Sequence, residues 1–310
     1  MIEVHGLTKL TKRYGDKLAV DDLSFTVRPG RVTGFLGPNG AGKSTTMRMI
    51  LELDAPTSGS VTVNGRPYHE HAAPLREVGA LLDARSVHPG RSAYRHLLAL
   101  AQTSGIPRSR VDEVVEAVGL GSVAGRRAGG FSLGMGQRLG IAAALLGDPR
   151  TVILDEPVNG LDTEGIRWIR SLLQGLAAEG RTVFVSSHLM SEMAMTAQHL
   201  IVIGRGRLIA DTSMEAFIAS AAPAVVRVRS TDPAALASLL RARELAVSDA
   251  GDGALAVPGL TTDQVGRLAG AAGITLLELT TQQPSLEDAF VDLTRDAVEF
   301  RAPTTQGARP

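Results

Sequence analysis

The sequence contains no cysteine among its 310 residues. This absence excludes a disulfide framework, a zinc site built from thiolates and a cysteine nucleophile, and it is typical of a reducing compartment. Net positive charge is also absent, because 32 lysine and arginine residues balance 32 aspartate and glutamate residues. We therefore expect no nucleic-acid partner and no attachment to anionic lipid through overall charge.

A long hydrophobic run is missing as well. The longest apolar stretch, residues 139–146, is far below the ~20 residues that a membrane-spanning helix requires. Residues 1–6 lack the apolar core of a signal peptide. We expect no transmembrane segment, so that membrane association would require a partner protein. The 44% hydrophobic content still supports a sizeable core, and the length is sufficient for about two domains.

Short apolar runs alternate with helical patterns over residues 1–220. Val32–Leu36, Thr151–Leu154 and Thr182–Val185 are typical of buried strands, and the alternation predicts a largely parallel sheet with helices on both faces. Residues 84–147 carry apolar residues at helical spacing, which indicates a helical insert. Asn64-Gly65 follows a short strand pattern and predicts a hairpin turn.

A domain boundary is predicted near residue 220. From residue 221 to about residue 300, the order strand, helix, strand, strand, helix, strand predicts a small ferredoxin-like α/β domain. A last amphipathic helix is expected to begin at Ser285. Residues 301–310 are interpreted as a disordered tail.

The most specific motif is the glycine-rich segment Gly37-Pro38-Asn39-Gly40-Ala41-Gly42-Lys43-Ser44. It matches the pattern G-x-x-x-x-G-K-[ST] at every fixed position, between an apolar strand and a predicted helix. Its glycines allow backbone N–H groups to converge on phosphate oxygens at the positive end of that helix. Lys43 supplies a full charge to the terminal phosphates, and the Ser44 hydroxyl is a hard oxygen ligand for Mg²⁺. The motif predicts a phosphate-binding loop.

Two acidic residues and a histidine follow later strands of the predicted sheet. Asp155 and Glu156 end the apolar strand Thr151–Leu154, at the sheet edge where open α/β sheets bind ligands. Asp155 is suited to hold Mg²⁺ opposite Ser44, and Glu156 is suited to orient and deprotonate an attacking water. His188 ends the next strand, where an imidazole is suited to contact a γ-phosphate and that water.

Three further segments, taken with these, make the sequence resemble a known family. They are Phe131–Arg138 just before the acidic strand, Asn159–Asp162 just after it, and Tyr14 before the first buried strand. In order and spacing the set resembles the nucleotide-binding subunit of an ATP-binding cassette (ABC) transporter, over about residues 3–215. The resemblance implies a RecA-like core, an antiparallel β subdomain and a helical subdomain.

The resemblance also implies that ATP binds between two copies of the chain. The phosphate loop through Thr45, with Asp155, Glu156 and His188, would face Ser132 and Gly134 of the second copy. Asp162 would belong to the connecting D-loop, and Tyr14 would stack on adenine. Lys43, Glu156 and His188 would be the catalytic residues.

Two positions depart from the family pattern. Met135 replaces the glutamine that usually ends the signature pentapeptide, and Met135 cannot form the hydrogen bonds of a glutamine. Asp83 stands where a glutamine is expected, and we predict it as a further ligand of Mg²⁺ beside Ser44 and Asp155. Because the loop, the metal ligands and the base remain, we expect ATP hydrolysis.

The predicted second domain indicates which subtype of ABC transporter the sequence resembles. One cassette followed by a small α/β domain resembles the ATPase subunits of ABC-2 type exporters, of which the daunorubicin-type antibiotic-resistance exporters are an example. In that group the permease is a separate membrane protein, which residues 84–93 would contact. The resemblance therefore implies a peripheral subunit at the cytoplasmic face of the cell membrane that powers export.

Two other functions compete with this hypothesis. The chain could be an ABC ATPase without a transport role, although such proteins often carry two cassettes or a coiled-coil insert, and only one Gly-Lys-Ser occurs here. The chain could also belong to a different phosphate-loop class, as a GTPase or a small-molecule kinase. A kinase would need an acceptor pocket, which nothing in the sequence suggests, and a GTPase would need Asn-Lys-x-Asp for guanine. Every asparagine in this chain precedes a glycine, so that motif is absent.

Overall fold

The computed structural model describes residues 1–5, 10–83, 87–220, 225–282 and 286–294. The strands are β1 (Ile2–His5), β2 (Leu10–Tyr14), β3 (Lys17–Leu23), β4 (Phe25–Val27), β5 (Val32–Leu36), β6 (Ser60–Val63), β7 (Val78–Leu81), β8 (Thr151–Leu154), β9 (Thr182–Ser187), β10 (His199–Gly204), β11 (Arg207–Ser213), β12 (Val225–Ser230), β13 (Ser248–Asp249), β14 (Ala254–Pro258) and β15 (Leu276–Gln282). The helices are α1 (Lys43–Ile50), α2 (Pro74–Glu77), α3 (Ala93–Thr103), α4 (Arg108–Ala117), α5 (Leu133–Leu145), α6 (Thr163–Ala178), α7 (Met190–Thr196), α8 (Met214–Ser220), α9 (Pro233–Arg241), α10 (Thr262–Ala271) and α11 (Leu286–Thr294). Among these helices, none is long and apolar enough to cross a bilayer.

The central sheet has the strand order β11-β10-β5-β9-β8-β7. All neighbours from β10 to β7 are parallel, and β11 pairs with β10 in the antiparallel sense. Strands β5, β8 and β9 are buried along their whole length, as expected for a parallel sheet covered on both faces. The predicted doubly covered α/β core is therefore confirmed.

A smaller antiparallel sheet with the order β4-β1-β6 belongs to the same unit. Three aromatic rings join β4 to the central sheet, with Phe25, Phe35 and Phe184 at centroid distances of 5.0–5.7 Å. The Asn64-Gly65 turn forms with positive φ at both residues, as a type I′ turn requires. A full hairpin does not form, because only Val63 and Arg66 pair before the chain enters a short 3₁₀ turn.

The helical insert comprises α3, α4 and α5, which pack against one another, and α5 also packs on β7. Two glycines permit the close approach of α5 and β7. A Cβ atom on Gly79 would lie 1.9 Å from the carbonyl oxygen of Ala144, and one on Gly140 would lie 2.5 Å from Leu81. Backbone contact at Gly79 therefore holds the helical insert on the edge of the central sheet.

The chain forms two compact units, one mainly of Met1–Glu215 and the other of Ala216–Asp292. The second unit has the order β12, α9, β13, β14, α10, β15, with an antiparallel sheet β13-β14-β12-β15. This is the predicted ferredoxin-like arrangement. Its core contains Val226, Val228, Leu236, Leu240, Val257, Val265 and Ala269. The predicted boundaries of the ATP-binding domain (1–220) and of the accessory domain (221–300) stay a prediction. Ser285 and the tail 301–310 lie outside the described residues.

The close contact at Gly79 generates a stability prediction. Gly79→Ala should lower the free energy of unfolding by about 3 kcal/mol, because the added methyl group overlaps the backbone of α5. Gly175→Ala is the matched control, since Gly175 lies within α6 with nothing within 4 Å of an added Cβ. The control should gain about 0.5–1 kcal/mol from its higher helix propensity. Urea unfolding followed by the fluorescence of the single tryptophan, Trp168, measures both changes, and equal stabilities would contradict the packing argument.

Candidate functional site

The glycine-rich loop connects the buried strand β5 to helix α1 and is fixed by close backbone contacts. A Cβ atom on Gly37 would lie 2.5 Å from the carbonyl oxygen of Ile203. Gly42 has φ 104°, and a Cβ atom there would lie 2.6 Å from the carbonyl oxygen of Ala19. Only glycine satisfies both positions. The Thr46 hydroxyl donates a hydrogen bond of 2.9 Å to the carbonyl oxygen of Gly42 and secures the first turn of α1.

Lys43 lies across this loop with its ammonium group buried. The Nζ atom donates hydrogen bonds to the carbonyl oxygens of Gly37 at 2.6 Å and Pro38 at 3.3 Å. It lies 3.8 Å from Oε1 of Glu156. Burial lowers the pKa of Lys43, and the charges of Glu156 and Asp155 offset part of that decrease. The ammonium group of Lys43 therefore lies at the phosphate loop, where the terminal phosphates of a nucleotide would bind, and it is close to the carboxylates of Asp155 and Glu156.

The carboxylate of Asp155 accepts hydrogen bonds from two hydroxyl groups. Ser44 Oγ donates to Oδ2 of Asp155 at 2.5 Å, and Ser186 Oγ donates to the other carboxylate oxygen. The backbone N–H of Asp155 donates to the carbonyl oxygen of Leu81 on the neighbouring strand at 2.8 Å. The two predicted Mg²⁺ ligands thus converge. The described residues contain no cluster of three acidic or histidine ligands. The two oxygen donors of Ser44 and Asp155 instead fit a hard cation such as Mg²⁺, which takes most of its other ligands from water and phosphate.

Glu156 has a left-handed backbone conformation with φ 49°, which is uncommon for a residue other than glycine. Its N–H donates to Ser186 Oγ at 2.9 Å, and its carbonyl oxygen accepts from Gln137 Nε2 at 3.3 Å. Its carboxylate Oε2 lies 2.9 Å from Nδ1 of His188. The peptide is thus restrained on both sides, and the carboxylate lies between a lysine and an imidazole.

Tyr14 lies exposed beside the start of α1. Its hydroxyl donates to Oδ2 of Asp54 at 2.8 Å, and Arg48 donates to both oxygens of the same carboxylate. These hydrogen bonds, with that of Arg48 first, lower the pKa of Asp54 to about 2. Partial burial raises the pKa of Tyr14, and the Thr45 hydroxyl also contacts it. The ring therefore has a fixed position next to the phosphate loop with 46% of the residue exposed.

Ser132, Gly134 and Asp162 lie at the starts of helices α5 and α6. Ser132 is the N-cap of α5 and accepts from the N–H of Met135 at 3.2 Å. Asp162 caps α6 and accepts from the N–H of Gly165 at 2.8 Å. A Cβ atom on Gly134 would lie 2.7 Å from the carbonyl oxygen of Gly160, so the two helix starts touch. Within the described part of the chain, no hydrogen bond or ion pair joins Ser132 or Gly134 to the phosphate loop.

Asp83 lies two residues beyond the end of β7 and is exposed. Its strand is the parallel neighbour of β8, and Leu81 pairs with Leu154. Asp83 therefore lies at the same edge of the sheet as Asp155. Its role as a ligand of Mg²⁺ stays a prediction.

Comparisons with known proteins identify the family. The profile described as ABC transporter matches residues 20–159, and that of a domain of unknown function (DUF8746) matches residues 224–287. Bacitracin transport ATP-binding protein BcrA of Bacillus licheniformis is 44% identical over 205 residues, which are 65% of this chain and 67% of BcrA. Nod factor export ATP-binding protein I of Rhizobium sp. (strain N33) is 34% identical over 299 residues, which are 94% of this chain and 97% of that protein. The chain belongs to the ABC transporter ATP-binding proteins.

A solved structure agrees with this assignment at the level of the fold. The ATP-binding cassette MJ0796, described as a dimer in a post-hydrolysis state with ADP and Pi, matches with a TM-score of 0.62. The match has 24% sequence identity and covers 69% of this chain and 99% of that one. As a member of the ABC family, the chain binds ATP and hydrolyses it to power transport.

Sequence reasoning missed two residues that contact the predicted site residues Asp155 and Glu156. Ser186 connects Asp155 and Glu156, and Gln137 contacts the carbonyl oxygen of Glu156. A signal existed for Ser186, since it lies two residues before His188 on a strand parallel to β8. Gln137 carries a weaker signal, which is a single polar residue that is buried in the apolar helix α5.

Removing the Ser186 hydroxyl should disturb both carboxylates at once. We expect Ser186→Ala to lower kcat about tenfold with little change in KM for ATP, because the Glu156 N–H and the Asp155 carboxylate each lose a partner. Steady-state phosphate release measures both constants. Ser171→Ala is the control, since the Ser171 hydroxyl donates a hydrogen bond to the Arg167 carbonyl oxygen of its own helix and to no other group among the described residues. An unchanged kcat in Ser186→Ala would show that the Ser186 hydroxyl does not contribute to catalysis.

Proposed function

We propose that the chain is the ATPase subunit of an ABC-2 type exporter, and that it works as a homodimer with a separate membrane permease. The observation that carries the proposal is the joint presence of Lys43, Ser44, Asp155, Glu156 and His188 at one edge of the central sheet. Among the described residues, no hydrogen bond or ion pair joins the signature residues Ser132 and Gly134 to that cluster. One chain therefore supplies two incomplete parts of a nucleotide site.

The phosphate loop and Tyr14 hold the nucleotide in this proposal. Tyr14 offers an exposed ring for adenine, and the loop N–H groups together with Lys43 neutralise the phosphates. Ser44 and Asp155 would hold Mg²⁺, with Asp83 as a further ligand. Bound Mg²⁺ would neutralise charge on the β- and γ-phosphates.

Glu156 activates the attacking water. Its carboxylate accepts a proton from the water while the water oxygen bonds to the γ-phosphorus, and the bond to the bridging oxygen breaks to leave ADP and phosphate. His188 keeps the carboxylate oriented through its contact of 2.9 Å. The hydrogen bonds of Ser186 and Gln137 to the Glu156 peptide prevent that residue from relaxing to an ordinary backbone conformation.

The second copy of the chain completes the enclosure. Ser132 begins helix α5, so its hydroxyl and the adjacent N–H groups are suited to a γ-phosphate. Since Ser132 and Gly134 lack bonds to the loop of their own chain, we assign them to the nucleotide of the partner copy. Gly160 contacts the start of α5 at Gly134, and the segment from Gly160 to Asp162 would carry the state of one site to the other.

The permease would bind at the helical insert. A concave surface of about 400 Å³ there is lined by apolar groups that include Val87, Pro89, Phe131 and Leu139. It borders the segment 84–93 that the family resemblance assigns to permease contact. Docking at this groove would place the chain at the cytoplasmic face of the membrane, although no described helix of its own spans a bilayer.

The cargo would be an antibiotic or a comparable exported compound. Relatives named for bacitracin transport, lantibiotic transport and Nod factor export support this class. The permease selects the cargo, so the ATPase side chains contribute energy and not recognition.

Neutralising the base tests the ATPase and the dimer together. Glu156→Gln should bind ATP, release phosphate at least about a hundredfold more slowly and elute as a dimer, because the γ-phosphate persists between the copies. Lys43→Ala should lose ATP binding and remain a monomer. Glu164→Gln, an exposed acid in the first turn of α6, serves as the charge-matched control. A Glu156→Gln chain that stays monomeric with saturating ATP would refute the homodimer proposal.

A second experiment tests the permease. The membrane protein encoded beside this chain should copurify with it after detergent extraction, and Val87→Glu should lower recovery at least about tenfold by placing a charge in the apolar groove. Leu208→Glu is the control, because Leu208 is an exposed apolar residue on β11, away from the groove. Equal recovery of the permease with both variants would exclude this groove as the docking surface.

A further inference from the structure

A polar cavity of about 490 Å³ lies at the end of the central sheet opposite the phosphate loop. Arg31 precedes β5, and His199 opens β10, so both stand at the amino ends of parallel strands. The phosphate loop follows the carboxyl end of β5. The five residues of that strand separate the two sites by roughly 17 Å at ~3.3 Å per residue. The cavity is therefore distinct from the ATP site.

Two arginines line this cavity without an acidic partner at ion-pair distance. Arg28 and Arg31 have no carboxylate within 4.0 Å among the described residues, and the buried Nε of Arg31 has no hydrogen-bond partner. Burial and the adjacent charge of Arg28 lower the pKa of Arg31. By contrast, the partly buried Arg181 pairs with Asp148 at 2.7 Å. An unpaired guanidinium nitrogen that is buried is unfavourable, so the buried Nε of the half-buried Arg31 favours an external anion, and the exposed Arg28 adds a second positive charge beside it.

The carboxylate of the cavity is already engaged. Asp211 is the acidic residue of the lining, and its Oδ1 lies 2.5 Å from Nε2 of His199. The His199 side chain is only 12% exposed, and its buried Nδ1 has no partner. With Nε2 bonded to Asp211, Nδ1 is the ring nitrogen that is left for a ligand to contact. The lining thus presents two guanidinium groups, an imidazole and the hydroxyls of Ser24 and Thr26.

We propose that this cavity binds a small phosphorylated molecule, with its phosphate group held by Arg28, Arg31 and His199. Two guanidinium charges match a phosphate dianion better than a single carboxylate. The cavity falls within the volume range of sites for small organic ligands, so it has room for an organic group beside the phosphate.

The test uses the full chain with its ATP site filled by a non-hydrolysable ATP analogue, so that phosphate does not enter the phosphate loop. The probes are inorganic phosphate and glycerol 3-phosphate at millimolar concentration, followed through the His199 imidazole resonances in NMR spectra. Because the chain has seven histidines, His199→Gln assigns the signal. Both probes should shift it, and Arg28→Gln and Arg31→Gln should each weaken binding at least about tenfold.

Arg66→Gln is the matched control, since Arg66 is exposed in the turn after β6 and its side chain is remote from the cavity lining. Arg28 is exposed, so Arg28→Gln retains a folded chain in which a loss of binding is interpretable. No shift at millimolar phosphate, or equal binding in all three arginine variants, would overturn the proposal. Sedimentation with phosphatidylglycerol vesicles that Arg28→Gln abolishes would assign the site to a lipid headgroup and would also overturn it.

Discussion

The parallel pairing of β5, β9 and β8 is the constraint on which the nucleotide site depends. Leu36 pairs with Ser187, and Leu154 pairs with Val185, so the three strands end at one edge of the sheet. That register places Lys43, Asp155 and His188 within reach of one another although more than a hundred residues separate the first two. A slip by one residue would turn every side chain to the opposite face. The complete burial of these strands prevents such a slip.

Glu156 shows how the site sustains an unfavourable backbone conformation. A left-handed φ at a glutamate costs about 1–3 kcal/mol unless surrounding contacts compensate for it. Ser186 and Gln137 bond the two sides of this residue, and they come from the central sheet and the helical insert respectively. In the proposed mechanism, a movement of the insert would therefore act on the position of Glu156. The hydrogen bond from Gln137 connects the Glu156 peptide to helix α5, which Ser132 caps.

The sequence predicted the sheet core, the helical insert and the ferredoxin-like second unit, because each follows from local periodicity and turn residues. The same patterns placed Asp155, Glu156 and His188 at strand ends, and Ser44 at the start of the helix that follows the phosphate loop. Contacts between distant side chains were beyond such reasoning. The Asp54 carboxylate that anchors Tyr14 lies forty residues away from it, and no local pattern connects them. Asn64-Gly65 illustrates the opposite limit, since the turn forms as predicted while a second strand is not supplied by the residues that follow.

The central sheet presents different chemistry at its two ends. At the carboxyl end, Lys43 lies among acidic groups, with Glu156 at 3.8 Å, so its charge is balanced before any anion arrives. At the amino end, Arg28 and Arg31 have no such acidic neighbour at ion-pair distance among the described residues, because Asp211 is held by His199. An anion at the first end must compete with a carboxylate for the cation, which suits a ligand that is bound and released in each cycle. An anion at the second end meets a weaker competitor, because the charge of Asp211 acts on Arg31 only from beyond ion-pair distance.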